Sequence, residues 1–281
     1  MLFKSLLGFA LLGSALATSV LPRDQLSPNP SNSVVQEHQN AQRRDASPSP
    51  VVRMTNAERM VAGMPPLPPR RRGSRTSNAA RSAPSPGGSG SHGYIAAKEA
   101  GGDTLLGYFT RAYNNFGEHG LTDPSKPVDG ALKVVLPCAS ERNSPFNIEA
   151  EDPVQGSYPF VGMMKGWAND NPNLGPGSFN YVFFGGVQQS PSHSTPVDQS
   201  NTFTAATGIA ESTESAVWHY DDVSGKLTPQ WINTDDSIPA VYYGIYLPDH
   251  AVFATGDKTK FSDTFGAGNI QWLDLYYVNE A

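Results

Sequence analysis

Aromatic residues are confined almost entirely to the last two-thirds of this chain. No Phe, Trp or Tyr occurs between residues 10 and 93, whereas all 4 Trp, all 11 Tyr and 11 of the 13 Phe occur from Tyr94 onward. Large aromatic side chains supply much of the surface that a folded core buries. Residues 93–281 are therefore the part that can fold around a core, and a domain of this size buries about 70% of its unfolded surface without needing disulfides.

The charges divide at the same place. Residues 1–92 contain 11 Lys or Arg and 4 Asp or Glu, whereas residues 93–281 contain 9 and 22. A basic leader thus precedes an acidic domain. Because a strongly acidic domain repels phosphate backbones, we expect no nucleic-acid partner.

The first 17 residues have the order of a secretory signal peptide. Lys4 is followed by an apolar run over residues 6–17, which ends in the small-x-small sequence Ala15-Leu16-Ala17. We therefore expect cleavage after Ala17 and a secreted, extracellular protein. The run is shorter than the roughly 20 apolar residues that span a bilayer, so no stable membrane anchor is expected.

Residues 18–92 are rich in Pro, Ser, Asn and Gln and poor in bulky apolar side chains, so we predict a disordered leader. The spacing Thr55-Asn56-Ala57-Glu58 is that of a capping box, and Gly63 is a helix stop, which together predict a short helix. The basic clusters that end at Arg44 and Arg72 are candidate processing sites, because proteolysis concentrates in exposed chain. The alternative is a solvated linker that is never cut.

From residue 94 onward, short runs of alternating or aromatic residues are separated by Gly, Pro, Asn and Asp, a pattern typical of strands and turns. One helix is expected over Lys258–Phe265, ending at Gly266. We predict an all-β fold, a single antiparallel β-sandwich or jelly-roll-like domain over residues 93–281. The nine predicted strands are residues 94–98, 104–113, 131–136, 179–184, 216–221, 226–232, 241–247, 252–255 and 270–278.

Two of these strands form the clearest local unit. Residues 216–221 and 226–232 flank a four-residue loop that ends in Gly225, as in a β-hairpin. This register pairs Trp218 with Pro229 and Ala216 with Trp231, so both indoles share one face. Pro229 cannot donate to a ladder, which places its strand at an edge or a bulge.

Four sequence blocks carry a resemblance: residues 55–72, Leu174-Gly175-Pro176-Gly177-Ser178-Phe179-Asn180-Tyr181, residues 214–218 and residues 227–235. As a set they resemble a family of small secreted proteins of mushroom-forming (basidiomycete) fungi. The resemblance implies secretion and a fungal source, and it carries over no catalytic residue. Asp235-Asp236 stands where the family resemblance leads us to expect Asp-Gly in the turn after Thr234.

The sequence lacks the common catalytic motifs. It contains no GxSxG, HExxH or P-loop, no GxGxxG after a strand and no pair of Cys for zinc. We therefore expect no cofactor and lean against an enzyme. Cys138 is the one cysteine, so no intramolecular disulfide can form, and its place after an apolar run predicts a buried, inert thiol.

Acidic and histidine residues supply the weaker candidates for chemistry. Glu149 and Glu151 share a strand face and could serve as the acid/base pair of a glycoside hydrolase or as Ca²⁺ ligands. His219 and Asp221 could form a His-Asp couple that needs a nucleophile from elsewhere. Asp274 becomes a candidate if burial raises its pKa. For Glu149 and Glu151 the alternative is a solvated acidic loop, for His219 and Asp221 it is a polar outward face, and for Asp274 it is a strand end or edge.

The strongest positive feature is aromatic. In residues 241–247 the alternation puts Tyr242 and Tyr246 on one face, on either side of Gly244. Flat rings beside a glycine gap can stack on a sugar ring, although core packing is the alternative. We expect a non-catalytic module that binds carbohydrate or another wall or host component, with Tyr242, Tyr246, Trp231 and Asp235 at the site. An extracellular hydrolase of glycosides or esters, and an interaction protein with a cleavable basic leader, remain as alternatives.

Overall fold

The structure, a computed structural model, describes residues 26–46, 56–63, 65, 90–126, 128–142 and 145–280. Within these ranges the chain forms twelve β-strands and four α-helices. The strands are β1 (Ser91–Glu99), β2 (Leu105–Tyr113), β3 (His119–Leu121), β4 (Lys133–Leu136), β5 (Ile148–Ala150), β6 (Phe160–Lys165), β7 (Tyr181–Val187), β8 (Thr213–Glu214), β9 (Lys226–Leu227), β10 (Tyr242–Tyr246), β11 (Ala251–Thr255) and β12 (Ile270–Asn279). The helices are α1 (Asn32–Ala46), α2 (Asn56–Val61), α3 (Thr202–Thr207) and α4 (Lys258–Phe265).

Eight of the strands close into an antiparallel barrel. Their order around the ring is β1, β4, β5, β6, β7, β11, β10 and β12, and β12 pairs with β1 to complete it. The prediction of an antiparallel all-β fold is confirmed, but the sandwich or jelly-roll is wrong. The reason is that β12 pairs with β10 along one edge and with β1 along the other, so the sheet closes on itself and removes its edges.

Apolar side chains at alternate positions of the eight strands fill the barrel. Ile95, Val134, Val182, Tyr243 and Leu273 are among these buried residues. An eight-stranded barrel has an interior just wide enough for side chains to fill, which agrees with this packed core. The predicted alternation in β10 is confirmed, because its inward-facing positions belong to this cluster and its outward-facing ones do not.

A second apolar layer covers part of the outside of the barrel. Tyr181 from β7 and Phe253 from β11 pack there against Phe261 and Phe265 of α4. The helix has the predicted bounds, since Asp257 caps its first turn and Gly266 ends it at φ 87°. This layer, rather than a second sheet, buries the apolar outer face of β7 and β11.

The tryptophan hairpin has the predicted register but less regular structure than expected. Tyr220 pairs with Leu227, and Gln230 N donates to Val217 O at 2.8 Å, which fixes the predicted pairing. Trp218 and Trp231 are fully buried. Of residues 216–232, only Lys226 and Leu227 form a strand; the other predicted strands coincide with β1, β2, β4, β7, β10, β11 and β12, while β3, β5, β6 and β8 were not predicted.

One part of the leader contacts the barrel. Residues 26–46 form a short extended segment and α1, and they pack on the barrel through Leu26 and Val34. The buried Asn29 adds a polar contact, and the disorder of residues 18–92 as a whole stays a prediction. The short helix predicted after Thr55 is present as α2.

The predicted processing sites and the predicted signal peptide lie near or beyond the ends of the described ranges. Arg44 lies exposed in the last turn of α1 rather than in extended chain, so protease access there requires this turn to unwind. The proposed signal peptide and Arg72 lie outside the described residues. None of the helices within the described ranges is long and apolar enough to cross a bilayer.

Candidate functional site

The structure separates the two tyrosines that the sequence placed at one site. Both lie on the outer face of β10, but Tyr242 is 41% exposed whereas Tyr246 is only 7% exposed. Tyr246 packs against Phe265 of α4. The glycine gap expected between them is also filled, because the Phe253 ring lies against Gly244. Tyr246 therefore belongs to the packed outer layer, and Tyr242 alone faces solvent.

Tyr242 borders an open groove of about 450 Å³. Gln230 and Thr228 lie on one wall, and Lys226 and Asp274 lie on another with their charged groups 2.9 Å apart. The groove thus combines one exposed aromatic face with amide, hydroxyl, ammonium and carboxylate groups. These are the group types that orient a polar ligand over an aromatic ring.

Lys258 lies between two rings at the same groove. Its Nζ atom is 5.0 Å from the centre of the Tyr242 ring and 4.9 Å from the centre of the Trp272 ring, within cation–π range of both. Lys258 is also the first residue of α4, where a positive charge opposes the helix dipole. The ring contacts offset this unfavourable position, so the two aromatic faces hold the ammonium group at the groove.

The other two predicted binding residues lie away from any accessible aromatic surface. Trp231 is fully buried, and its Nε1 donates to Pro172 O at 2.7 Å. Asp235 is exposed, but its carboxylate accepts hydrogen bonds from the backbone and side chain of Ser237, which lower its pKa. In the same turn Asp236 has φ 64°, the left-handed conformation for which the family resemblance led us to expect Gly.

The predicted Glu149/Glu151 pair and Asp221 of the predicted His219–Asp221 couple all lie exposed at the surface. Glu149 is exposed on β5, and Glu151 Oε2 lies 3.3 Å from His92 Nδ1. Asp221 accepts from Ser224 Oγ at 2.6 Å in its own turn. Burial lowers the pKa of His219, whose Nε2 atom is buried without a partner among the described residues.

Two further sequence candidates have ordinary structural surroundings. Burial acts to raise the pKa of Asp274, but hydrogen bonds from Lys226 and from the Gly101 amide outweigh it and leave the pKa below its usual value. Asp274 is thus part of an ion pair, not an acid kept neutral by burial. Cys138 follows β4 as predicted, but it is half-buried rather than buried, and its Sγ lies 3.1 Å from Ser140 Oγ.

A fully buried acidic group among the described residues was not predicted. Glu118 is fully buried at the start of β3, after the loop that joins β2 to β3. Asn114 builds this loop, because its Oδ1 accepts from the amides of Phe116 and Glu118 and its Nδ2 donates to Glu118 Oε2 at 2.8 Å. The carboxyl group is therefore oriented by the loop that precedes it.

A leader residue completes this cluster. The side-chain Nδ2 of Asn29 donates to Glu118 Oε2 at 3.0 Å and to Asp249 Oδ2 at 3.1 Å. Asp249 lies in the turn between β10 and β11, and Asn114 Nδ2 donates to its backbone oxygen at 2.9 Å. One amide nitrogen thus links two carboxyl groups that come from different hairpins.

The electrostatics of the cluster follow from its burial. Burial raises the pKa of Glu118 from 4.5 to about 8, although the bonds from Asn114 and Asn29 act in the opposite direction. Burial also raises the pKa of Asp249. The neighbouring His119 is buried as well, which lowers its pKa to about 4. The carboxyl group of Glu118 is therefore largely protonated at neutral pH, and the His119 ring is neutral.

Sequence reasoning gave no signal for this cluster. Glu118 is followed by His119 and preceded by a turn, so it reads as an ordinary polar loop residue. Asn29 lies 89 residues earlier in a segment whose composition predicts disorder. No spacing rule connects residues this far apart, and only the docking of the leader reveals the contact.

Comparison with protein-family models, with curated proteins and with solved structures gives no match for this chain. The function must therefore be argued from the geometry of the two sites themselves.

Proposed function

We propose that the protein is secreted and acts as a non-catalytic module that binds carbohydrate, such as a cell-wall polysaccharide, at the groove beside Tyr242. The signal-like order of residues 1–17 and the resemblance to secreted fungal proteins support the extracellular location. One observation carries the choice of site. Among the described Phe, Tyr and Trp residues, Tyr242 is the one with an exposed side chain.

The surroundings of Tyr242 favour a sugar over a purely apolar ligand. A sugar ring presents an apolar face of C–H groups, which stacks on an aromatic ring, and a rim of hydroxyls, which needs donors and acceptors. Gln230 and Thr228 offer both donors and acceptors, and Asp274 offers acceptors at the groove wall. A ligand with hydroxyl groups can replace the water on these polar groups, whereas an aliphatic ligand would displace that water without replacing its hydrogen bonds, at a cost in affinity.

The acidic groups that line the groove argue against hydrolysis there. Asp274 is the carboxylate that lines it, and its pKa is lowered by the ion pair with Lys226. Glycoside hydrolysis uses two carboxyl groups, one of which stays protonated to act as the acid. A single ionised carboxylate in an ion pair suits binding without turnover.

Binding can be tested on insoluble polysaccharides and on a glycan array. Tyr242→Ala should weaken binding by roughly tenfold or more, because the stacked ring is lost, whereas Tyr242→Phe should retain most of it. Tyr108→Ala is a control, because Tyr108 is a half-buried tyrosine of β2 that packs on Tyr94 and does not line this groove. Equal binding by the Tyr242→Ala and Tyr108→Ala variants would reject this groove as the site.

A further inference from the structure

The leader contacts the barrel through a short segment before α1, in which two consecutive residues form hydrogen bonds with the barrel. The hydroxyl of Tyr181 donates to the backbone oxygen of Pro28. The next residue, Asn29, places its amide between Glu118 and Asp249. Asn29 is 2% exposed, so this polar side chain is held in a fitted pocket and not laid on the surface.

The pocket discriminates by hydrogen-bond type. Glu118 Oε2 and Asp249 Oδ2 both accept, and a carboxamide supplies two N–H donors from a single nitrogen, one for each. A carboxylate in the same place would add a third acceptor and remove both donors. Within the described part of the chain, Oε1 of Glu118 and Oδ1 of Asn29 are buried without a hydrogen-bond partner. The Asn29 side chain therefore does not use every hydrogen-bonding atom of the pocket.

Apolar and helical contacts extend the recognised segment. Leu26 and Val34 pack on the outer apolar layer, on either side of Asn29. Further along α1, Gln39 donates to Ala206 O at 2.8 Å and Gln42 donates to Gly208 O at 2.9 Å. A cavity of about 410 Å³ follows the chain here, between the leader and Trp167, Phe116 and Asp249. The contact area is thus a groove sized for a peptide.

We propose that this groove is a peptide-binding site that recognises a Pro-Asn-Pro segment through the carboxamide of its Asn, and that residues 26–46 are its tethered ligand. While the chain is continuous, ligand and site are in one molecule and binding is intramolecular. A cut between α1 and α2 makes the ligand a separate peptide, whose occupancy then depends on its concentration. Release would open the groove to another carboxamide-bearing peptide. This proposal is independent of carbohydrate binding at Tyr242.

The test uses the full-length chain with a recognition sequence for a specific protease inserted after Pro50. The chain is cut, and a fluorescent synthetic peptide of residues 26–46 is added to replace the released fragment. Unlabelled peptides then compete in a polarisation assay: the natural sequence, the Asn29→Asp peptide and the Asn40→Asp peptide. Asn40 is an exposed residue of α1, so its variant carries the same change of charge without touching the pocket.

We expect the natural and Asn40→Asp peptides to compete equally, and the Asn29→Asp peptide to be roughly 100-fold weaker. A parallel measurement by native mass spectrometry compares cut chains that carry Asn29→Asp or Asn40→Asp, and only the former should lose its fragment on dilution. A difference between the two substitutions in either measurement supports the proposal. Equal behaviour in both overturns it, and concentration-dependent dimers of the uncut chain would overturn the tethered arrangement by assigning the ligand to a second copy.

Discussion

Tyr242 and Tyr246 occupy the two ends of one strand and point to the same side of it, yet one is 41% exposed and the other 7%. The end at Tyr246 lies under α4, and the β10–β11 turn that follows it holds Asp249 against the leader. At the end at Tyr242, Lys258 lies over the ring, which stays partly exposed. We call these the covered end and the open end of β10.

The difference shows that alternation along a strand determines the face but not the accessibility of a side chain. Accessibility depends on what packs over the sheet, and here a helix and a leader segment cover one end only. The open end keeps an exposed ring next to a polar groove, whereas the covered end buries Glu118 and Asn29 and half-buries Asp249. The two proposed modes of recognition, stacking and hydrogen bonding in a closed pocket, therefore fall on one strand and the turn that follows it.

The largest expected difference between the two ends is in stability. Tyr246→Ala should lower the free energy of unfolding by about 3 kcal/mol, because it removes a buried ring that packs on α4. Tyr242→Ala should lower it by less than about 1 kcal/mol, because the ring is exposed and loses only contacts such as the one with Lys258. Urea unfolding followed by tryptophan fluorescence measures both values. Similar losses for the two variants would show that the ends do not differ in packing.

Much of the barrel could be predicted from its sequence, for an identifiable physical reason. Residues of β2 and β12 alternate between more and less buried positions, so their period of two is visible in the sequence, whereas β1 and β10 are buried almost throughout and are marked by apolar and aromatic runs. The α4 helix was equally clear, because Asp257 and Gly266 mark its ends. The short strands β3, β5 and β8 contain two or three residues each, too few for any periodicity.

Closure and the buried pocket could not be predicted, since both depend on contacts between distant residues. Nothing local to β12 tells whether its second edge pairs with β1 or stays open, so a sandwich and a barrel give the same pattern. The composition of the leader predicted disorder because it counts apolar residues, whereas Leu26, Val34 and Asn29 hold the segment by position rather than by number. Of the four predicted binding residues, Tyr242 alone is both exposed and at a groove.

The second prediction concerns the dependence of stability on pH at the covered end. In the folded protein the Glu118 carboxyl stays protonated until near pH 8, whereas in the unfolded chain it ionises near 4.5. The folded state therefore binds more protons between these values, and stability falls as pH rises through this window. Asn29, Asn114 and Asp249 are the groups that face this carboxyl.

Between pH 6.5 and 8 the contribution of Glu118 amounts to roughly 1.5 kcal/mol of lost stability. Glu214, with a pKa of about 9, adds a slope of the same sign, whereas His119, whose pKa is near 4 in the folded protein and 6.5 in the unfolded chain, adds a smaller slope of the opposite sign at the lower end of this window. Glu118→Gln should therefore remove about half of the pH dependence. Thermal unfolding at several pH values measures it, and an unchanged slope in Glu118→Gln would mean that this carboxyl is ionised in the folded protein.

The third prediction concerns the leader segment at the covered end of β10. Asn29→Ala should lower stability by about 1–2 kcal/mol, since it leaves a buried and a half-buried carboxyl group without their shared donor. The loss should be concentrated in the leader, so amide hydrogen exchange should accelerate over α1 and remain slow in β7 and β11. Asn40→Ala, on the exposed side of the same helix, serves as the control. Uniform acceleration across the barrel would indicate that Asn29 supports the whole fold and not the docking of the leader.

The smallest effect is expected at the open end, where Lys258 Nζ lies over the Tyr242 ring. Its contacts with Tyr242 and Trp272 contribute about 0.5–1 kcal/mol each, whereas a positive charge in the first turn of α4 costs about 0.3–1 kcal/mol. Lys260 lies in the same turn, is exposed and makes no cation–π contact within the described residues. Both substitutions remove the unfavourable charge, but only Lys258→Gln removes the two ring contacts, so it should lower the free energy of unfolding by about 1 kcal/mol relative to Lys260→Gln. Chemical unfolding of the two variants side by side measures this difference. Equal free energies of unfolding would mean that the rings do not hold the ammonium group of Lys258. A ligand could then reach the face of Tyr242 without displacing Lys258.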